Sequence, residues 1–266
     1  LLDRPQAIDA LEQTLLQLAV RGLLVPQDPA DEPASVLLQK IRAEKDRLIA
    51  AGQIKRDKPL PPVTDEEKPF ELPVGWEWIR LGEIAQANTG FAFKSSEYTS
   101  KGTLVFRVTN IKPDGSVDLS DSKYIDVASA ATTYKKFLLS EGDVLLVMVG
   151  GSLGKIGVIE GFCLPAVLNQ NMWKIVSNGA VDKKYLIDVL RYVNAHQLKI
   201  THSTHGHLAQ GEYLLQPVAL PPLAEQSRIV TRVTQLRRLC FELRQRLAER
   251  EAVQARLAEA LVQQVA

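Results

Sequence analysis

The sequence predicts an α+β fold, with one β-rich, mixed α/β domain carried by long helices that form a coiled coil. Three observations support this prediction. Residues 222–266 carry apolar residues at alternating spacings of four and three, and residues 3–22 show a second stripe of the same kind. Residues 72–221 instead contain short β-like runs separated by turn signals.

The C-terminal helix begins after a double proline and contains neither Pro nor Gly to its end. Its apolar seam comprises Ile229, Val233, Leu236, Cys240, Leu243, Leu247, Leu257 and Leu261. Arg250 and Gln254 interrupt this seam, either as a weak point in the packing or as a device that fixes register or partner. A helix with such a stripe needs a partner helix to cover it.

The N-terminal helix, residues 3–22, is the natural partner. Its stripe comprises Ile8, Leu11, Leu15 and Leu18. A second helix is predicted over 35–51, so residues 1–54 form a helical region. Residues 55–71 are charged and rich in proline, which is typical of a semi-extended linker and marks a domain boundary.

The middle domain, residues 72–221, is predicted to alternate strands with turns around one helix. The β-like runs are 76–80, 104–108, 124–127, 144–149, 155–159 and 172–176. The helix spans 183–196 and has an apolar face of Tyr185, Leu186, Val189, Leu190 and Val193.

Composition excludes some classes of protein. No run of about 18 apolar residues occurs, so no membrane span is expected. Neither Cys163 nor Cys240 lies in a metal or redox spacing, which suits a reducing, cytoplasmic location. The net charge of +1 favours neither the presence nor the absence of a nucleic-acid partner.

No catalytic constellation is evident in the sequence. The run GGSLGK over residues 150–155 resembles a nucleotide-binding loop only superficially, because its spacing differs and a strand follows it. A tight turn, or a loop that offers backbone N–H groups to a phosphate, fits this run better.

All four histidines lie between residues 196 and 207. The polar segment around them contains Lys199, Thr201, His202, Ser203, His205, His207 and Gln210. Hydrogen bonding to phosphates or base edges is the first interpretation, a solvated loop is the second, and a metal site is the third.

Other polar residues suit the same contact surface. They are Lys94, Ser95, Arg107, Thr109, Asn110, Lys112, Ser152, Lys155, Asn169, Gln170 and Asn171. Taken singly, each is explained by turn chemistry or by ordinary surface polarity. The amide triplet 169–171 is of particular interest, because Asn and Gln can form paired hydrogen bonds with adenine.

Five motifs resemble the specificity (S) subunits of type I restriction–modification systems. The run LPVGWEW at 72–78, with LGEI at 81–84, is similar to the start of that family's target recognition domain. Residues 105–111 and 141–145 resemble its internal strands. The run LPPLAEQ at 220–226 is similar to its exit into a spacer helix, and residues 22–29 resemble the end of such a helix.

The resemblance implies that the middle domain reads half of a two-part site on double-stranded DNA. The terminal helices would form an antiparallel coiled coil, set the spacing between modules and dock methyltransferase (M) subunits, with restriction (R) subunits joining the complex. Methyl transfer from S-adenosylmethionine and ATP- and Mg-dependent cleavage would lie in those partners. This chain would then be no enzyme and would hold no cofactor and no metal.

Members of this family usually carry two recognition domains, whereas this sequence carries one. It would be the C-terminal half of a larger subunit or a half-size subunit, and a half-size subunit could pair with a second copy of itself to read a palindromic site. The main alternative is a coiled-coil protein–protein scaffold that does not bind DNA. A second alternative is an enzyme that uses the histidine-rich loop with a metal.

Overall fold

The computed structural model of the chain describes residues 5–52, 59–179, 181–198 and 206–265. The helices in these ranges are α1 (Pro5–Val20), α2 (Ala34–Ala50), α3 (Leu81–Ile84), α4 (Val127–Ala131), α5 (Lys183–His196), α6 (Gln210–Leu214) and α7 (Leu223–Val265). The strands are β1 (Glu77–Arg80), β2 (Ala85–Thr89), β3 (Thr103–Phe106), β4 (Lys123–Ile125), β5 (Val144–Val147), β6 (Ile156–Val158), β7 (Ala166–Leu168), β8 (Met172–Ser177) and β9 (Pro217–Leu220). The predicted α+β class is confirmed, although the sequence patterns do not predict β2, β7 and β9. Among the described helices, none is both long and apolar enough to cross a membrane.

The described residues group into two compact units. The helical unit comprises those within Leu1–Leu37, Phe70–Glu77 and Ala219–Ala266, and the mixed unit comprises those within Leu38–Pro69 and Trp78–Val218. These limits differ from the sequence-based ones. Residues 38–52 and 59–69 belong to the mixed unit, whereas residues 70–77 and 219–221 belong to the helical unit.

In the helical unit, α1 and α7 pack through residues that the heptad spacing selects. Ile8 and Leu15 of α1 form one apolar cluster with Cys240 and Leu247 of α7. The cluster is extended by the partly buried Leu11, Leu24, Leu236 and Leu243, and Leu18 is half-buried as well. The predicted partnership of these two helices is therefore confirmed.

Two ion pairs show that the segments run antiparallel. Arg244 donates from Nη2 to Asp9 Oδ1 at 2.6 Å, near the start of α1. Arg228, which lies earlier on α7, pairs with Asp31, which lies beyond the end of α1. The earlier residue on α7 thus pairs with the later residue of the N-terminal segment. The arrangement is therefore antiparallel, as the resemblance implies.

Among the described side chains of the seam, burial extends to Leu247 and is lost at Leu257. Ile229 and Val233 are buried in the earlier part of α7. Leu257 is 59% exposed, and the side chain of Leu261 lies outside the described side chains. The role predicted for these last two residues in helix pairing stays a prediction.

A buried carboxylate joins three segments around the start of α7. Glu225 is 1% exposed, and its two oxygens accept hydrogen bonds from Trp76 Nε1 at 2.9 Å and from Gln27 Nε2 at 2.8 Å. Burial raises the pKa of Glu225, because desolvation penalises the charged form. The backbone N–H of Ala34 also donates to the carbonyl of Gly75 at 2.8 Å. The loop after α1 and the segment before β1 are thereby held at α7.

The mixed unit contains an antiparallel sheet of four strands in the order β2–β8–β5–β6 and a sheet of three strands in the order β4–β3–β7. In the smaller sheet β3 runs antiparallel to β4 and parallel to β7. A further two-stranded sheet pairs β1 with β9. The apolar face predicted for α5 is buried, with Tyr185 and Val189 fully enclosed.

The described part of the predicted linker, residues 59–69, packs into the mixed unit through Arg80. This arginine is 4% exposed and donates hydrogen bonds to the carbonyls of Pro61 and Pro62 at 3.0 and 2.8 Å. It also forms a bidentate ion pair with Glu67, in which Nη1 donates to Oε1 at 2.8 Å and Nη2 donates to Oε2 at 2.6 Å. The bonds from the guanidinium bring the pKa of Glu67 down to about 2.

Candidate nucleic-acid interface

Parallel pairing of β3 with β7 places two of the predicted polar segments side by side. Phe106 at the end of β3 is in register with Leu168 at the end of β7. The next residue, Asn169, donates its backbone N–H to the carbonyl of Phe106 at 3.1 Å, so Arg107 and Asn169 emerge at the same edge. Phe91 joins them, because Gln170 N donates to its carbonyl at 2.9 Å.

Loops that follow β5 and precede β8 in the larger sheet lie at the same edge. Val147 at the end of β5 is in register with Met172 at the start of β8. The backbone N–H of Met148 donates to Asn171 at 3.1 Å, and its carbonyl accepts from Leu208 at 2.9 Å. We call the surface formed by residues 90–91, 107–112, 118–123, 148–155, 169–171 and 206–210 the loop edge.

Arg107 is tied to the loop edge at both its backbone and its side chain. Its N–H donates to Asn110 Oδ1 at 2.8 Å, and its Nη2 donates to Asp121 Oδ2 at 2.9 Å. The bond from the guanidinium lowers the pKa of Asp121 below its usual value. Arg107 Nε is buried without a hydrogen-bond partner in the described structure. The side chain is 20% exposed, which leaves part of the guanidinium open to a ligand.

Asn110 is internal, in contrast to its predicted surface role. It is 0% exposed, and its Nδ2 donates to the carbonyl of Asp118 at 2.9 Å while its Oδ1 accepts from Arg107. Because the amide is enclosed and used on both sides, it has no surface to offer a duplex. Its neighbours Thr109 and Lys112 are exposed, and Lys112 Nζ lies 3.5 Å from Asp118 Oδ2.

The three residues of the amide triplet differ in solvent exposure. Asn169 is 7% exposed, and its Oδ1 accepts from the backbone N–H of Asn171 at 3.4 Å. Gln170 and Asn171 are half-buried. Within the described ranges, Gln170 Oε1 is buried and has no hydrogen-bond partner. Asn169 therefore acts on the geometry of its neighbour, while Gln170 and Asn171 are partly exposed at the edge, with the Gln170 oxygen turned inward.

The glycine-rich run is a connection between two antiparallel strands, as the turn interpretation predicts. Val147 N donates to Lys155 O, and Gly154 N donates back to Val147 O, both at 2.9 Å. Gly154 has a φ of +81°, a conformation that favours glycine. Ser152 and Lys155 are half-buried in this connection, and β6 follows where a nucleotide-binding loop would continue into a helix.

The histidine-rich segment is only partly described. His207 and Gln210 are exposed, and His207 bridges to Val149 across the loop edge. The predictions on Lys199, Thr201, His202, Ser203 and His205 lie outside the described residues. Across the described residues no cluster of His, Cys, Asp or Glu suits a metal ion, and the metal alternative stays a prediction because two of its three histidines are not among them.

Lys94 and Ser95 are exposed beside an aromatic cluster that also brings in two lysines overlooked in the sequence. The rings of Phe93 and Tyr134 are 5.0 Å apart, so the segments that carry Lys94 and the pair Lys135 and Lys136 meet at this cluster. Lys135 and Lys136 are both exposed. The adjacent lysine pair was the available signal in the sequence, but their nearness to Lys94 depends on tertiary packing.

These features describe a recognition module, in which a mixed α/β unit presents polar loops at one edge and a helical unit contains an antiparallel helix pair. Comparison with known proteins gives the family. Residues 73–250 match the model of the type I restriction modification DNA specificity domain, and the chain belongs to that family.

Two curated relatives from Escherichia coli match nearly the whole chain. The type I restriction enzyme EcoAI specificity subunit is 38% identical over 263 residues, covering 96% of this chain and 44% of the relative. The EcoEI specificity subunit is 34% identical over 265 residues, with the same two coverages. The chain thus spans less than half the length of these relatives.

Solved structures share the fold. A chain from a study of complex assembly and conformational transition of the type I R-M system has a TM-score of 0.61 at 21% identity, covering 97% of this chain and 56% of that chain. The HsdS subunit from Thermoanaerobacter tengcongensis has a TM-score of 0.57 at 20% identity, with the same coverages.

Proposed function

We propose that this chain supplies one target recognition domain of a type I DNA specificity subunit and reads half of a two-part site on double-stranded DNA. The observation that carries this proposal is the loop edge. In a chain of the specificity family, strand pairing gathers an arginine, two amides and a lysine from distant parts of the sequence at one edge. These are the residue types that hydrogen-bond base edges and phosphates.

Each proposed contact has a chemical role. Arg107 suits a guanine, whose O6 and N7 accept hydrogen bonds, and Asn171 suits an adenine. Gln170, whose Oε1 is buried, would contribute only its Nε2 donor. The other proposed contacts in the described ranges are Lys94, Ser95, Thr109, Lys112, Ser152, Lys155, His207 and Gln210. Asn110 and Asn169 are left out as direct contacts, because their burial suits them to holding Arg107 and Asn171.

The helical unit would set the distance between two recognition domains and dock methyltransferase subunits. S-adenosylmethionine would bind in those partners, and ATP with Mg²⁺ in the restriction subunits. Val253 and Leu257 on the last turns of α7 are 45% and 59% exposed, which suits a helical partner there. That partner would be the other half of a full-length subunit or a second copy of this chain.

The decisive experiment is methylation mapping. The chain is assembled with its cognate methyltransferase subunits and incubated with a random-sequence duplex library at a fixed salt concentration. A methylated two-part motif with a constant gap is expected, and a palindromic motif would identify two copies of the same recognition domain.

Sequence-independent methylation by a stable complex would contradict the proposal and favour the protein–protein scaffold. A matched pair of variants sharpens the result. Asn171→Ala is expected to alter the motif at one position, whereas Gln86→Ala, an exposed amide on β2 away from the edge, is expected to leave it intact.

A further inference from the structure

Arg107 and Asp121 form a preorganised charge pair at the loop edge. Asp121 Oδ2 accepts from Arg107 Nη2 at 2.9 Å, and its backbone carbonyl accepts from the same nitrogen. Its other carboxylate oxygen lies 3.7 Å from Lys123 Nζ. The aspartate side chain is 62% exposed while the arginine side chain is 20% exposed, so the acid lies on the solvent side of the pair.

The backbone fixes the two partners relative to each other. Lys123 begins β4 and is in register with Val105 near the end of β3, so the segment 118–123 and Arg107 occur at the same end of the sheet. The buried Asn110 links Arg107 to the segment 118–123, because its Oδ1 accepts from Arg107 N and its Nδ2 donates to Asp118 O. The pair therefore rests on a buried support.

An arginine in this setting differs from one that clamps a phosphate. In the described structure, both hydrogen bonds of its guanidinium leave from Nη2 to Asp121, and Nε is enclosed without a partner. Nη1 is left as the donor for a ligand. The adjacent carboxylate offsets the positive charge and repels a phosphate, while a neutral base edge meets no such repulsion.

We propose that Asp121 is a positioning and specificity-determining residue, which holds Arg107 for reading a base edge and suppresses its attraction for the DNA backbone. The inference rests on the proposed function, because it assumes that the loop edge meets DNA. It assigns to an acidic residue a role that residue type alone would argue against.

The test uses the complex of the full chain with its methyltransferase subunits. Its probes are a duplex carrying the mapped motif and a scrambled duplex of equal composition, measured over a series of KCl concentrations. The variants are Asp121→Asn, Arg107→Met, and the two combined. Glu141→Gln is the control, because it also removes one negative charge but precedes β5 and lies at the opposite end of that strand from Val147.

Asp121→Asn is expected to tighten binding to the scrambled duplex and to reduce discrimination about tenfold. The slope of log affinity against log salt should steepen by about 0.9, because one cation becomes available to phosphate. In the Arg107→Met background, the same substitution should produce a smaller change in slope. Glu141→Gln should leave both the discrimination and the slope as in the parent.

Two results would overturn the inference. If Asp121→Asn weakened both duplexes in parallel at an unchanged slope, the aspartate would be a structural support alone. If its effect were equal with and without Arg107, it would act through Lys123 or through general charge. A parent complex that fails to discriminate the two duplexes defeats the proposed function itself, which separates that failure from the failure of this inference.

Discussion

The helix pair and the loop edge are held together by opposite kinds of contact. In the helix pair, side chains fill the interface, with Ile8 and Cys240 buried in the seam and Arg244 bound to Asp9 and Glu12. At the loop edge, backbone groups bind segments to one another, as Asn169 N does with Phe106 O. Side chains such as Thr109 and His207 are exposed there.

Under the proposed function, this difference separates the residues that stabilise the fold from those that contact DNA. Where side chains make the contact, a substitution changes the free energy of unfolding. Where backbone groups make it, side chains can be exchanged with little loss of structure, which is what a surface that reads different DNA sequences requires.

The largest effect is expected in the covered part of the helix seam. Ile229→Ala removes a side chain that is 0% exposed and should lower the free energy of unfolding by about 2–5 kcal/mol. Leu257→Ala on the same helix is the control. Because Leu257 is exposed within this chain, the change there should stay within about 0.5 kcal/mol. Urea unfolding followed by circular dichroism measures both, and equal losses would show that the seam does not end at Leu247.

A smaller, pH-dependent effect is expected at Glu225. Glu225→Gln places an amide where two donors, Trp76 Nε1 and Gln27 Nε2, converge, and should lower the free energy of unfolding by about 1–3 kcal/mol. Glu249→Gln, an exposed change on the same helix, is the control.

The pH dependence at Glu225 has a definite sign. Burial raises the pKa of Glu225, so the folded state retains a proton that the unfolded state releases. The stabilising contribution is complete below the unfolded pKa and declines as the pH rises through the folded pKa. Asp31, whose pKa is lowered by Arg228, contributes the opposite trend as the pH falls. The difference in free energy of unfolding between the parent and the Glu225→Gln variant should therefore decline as the pH rises. A difference that does not change with pH would contradict this prediction.

Periodicity explains why the helix pair was predictable from the sequence. A spacing of four and three needs no knowledge of distant residues, and it identified Leu15 and Cys240 correctly. It could not show that Leu247 is buried while Leu257 is 59% exposed, because the same spacing selects both residues. Composition also could not show that residues 59–69 pack against the mixed unit, since that contact depends on Arg80 at the end of β1.

The loop edge was predictable in part. Residue type and turn chemistry selected Arg107 and the amide triplet, but the parallel pairing of β3 with β7 joins segments that are far apart in the sequence. β2 was overlooked because its inward residues Ala85 and Ala87 carry little strand signal. Asn110 was wrongly predicted to contact DNA, because it is buried. The sequence alone does not distinguish an asparagine that supports a turn from one that reads a base.

The comparison predicts that amides at the loop edge affect recognition without affecting folding. Asn171→Ala should reduce discrimination between target and scrambled duplexes by about 1–3 kcal/mol at one base position. The free energy of unfolding should change by less than about 0.5 kcal/mol. Competition binding with duplexes substituted one base at a time measures the first quantity. Loss of folding in place of loss of discrimination would make Asn171 part of the scaffold.

The smallest effects are expected from lysines that would contact phosphate. Lys94→Ala and Lys155→Ala should each weaken binding to all sequences by a few fold and reduce the salt slope by about 0.9, with discrimination unchanged. Lys184→Ala is the matched control, because its neighbour Lys183 binds the carbonyl of Gly142 at the opposite end of β5. Titration of the assembled complex at several KCl concentrations gives the slopes. If Lys184→Ala lowered the slope as much as Lys155→Ala did, the duplex would not be confined to the loop edge, and the comparison that separates this edge from the rest of the domain would fail.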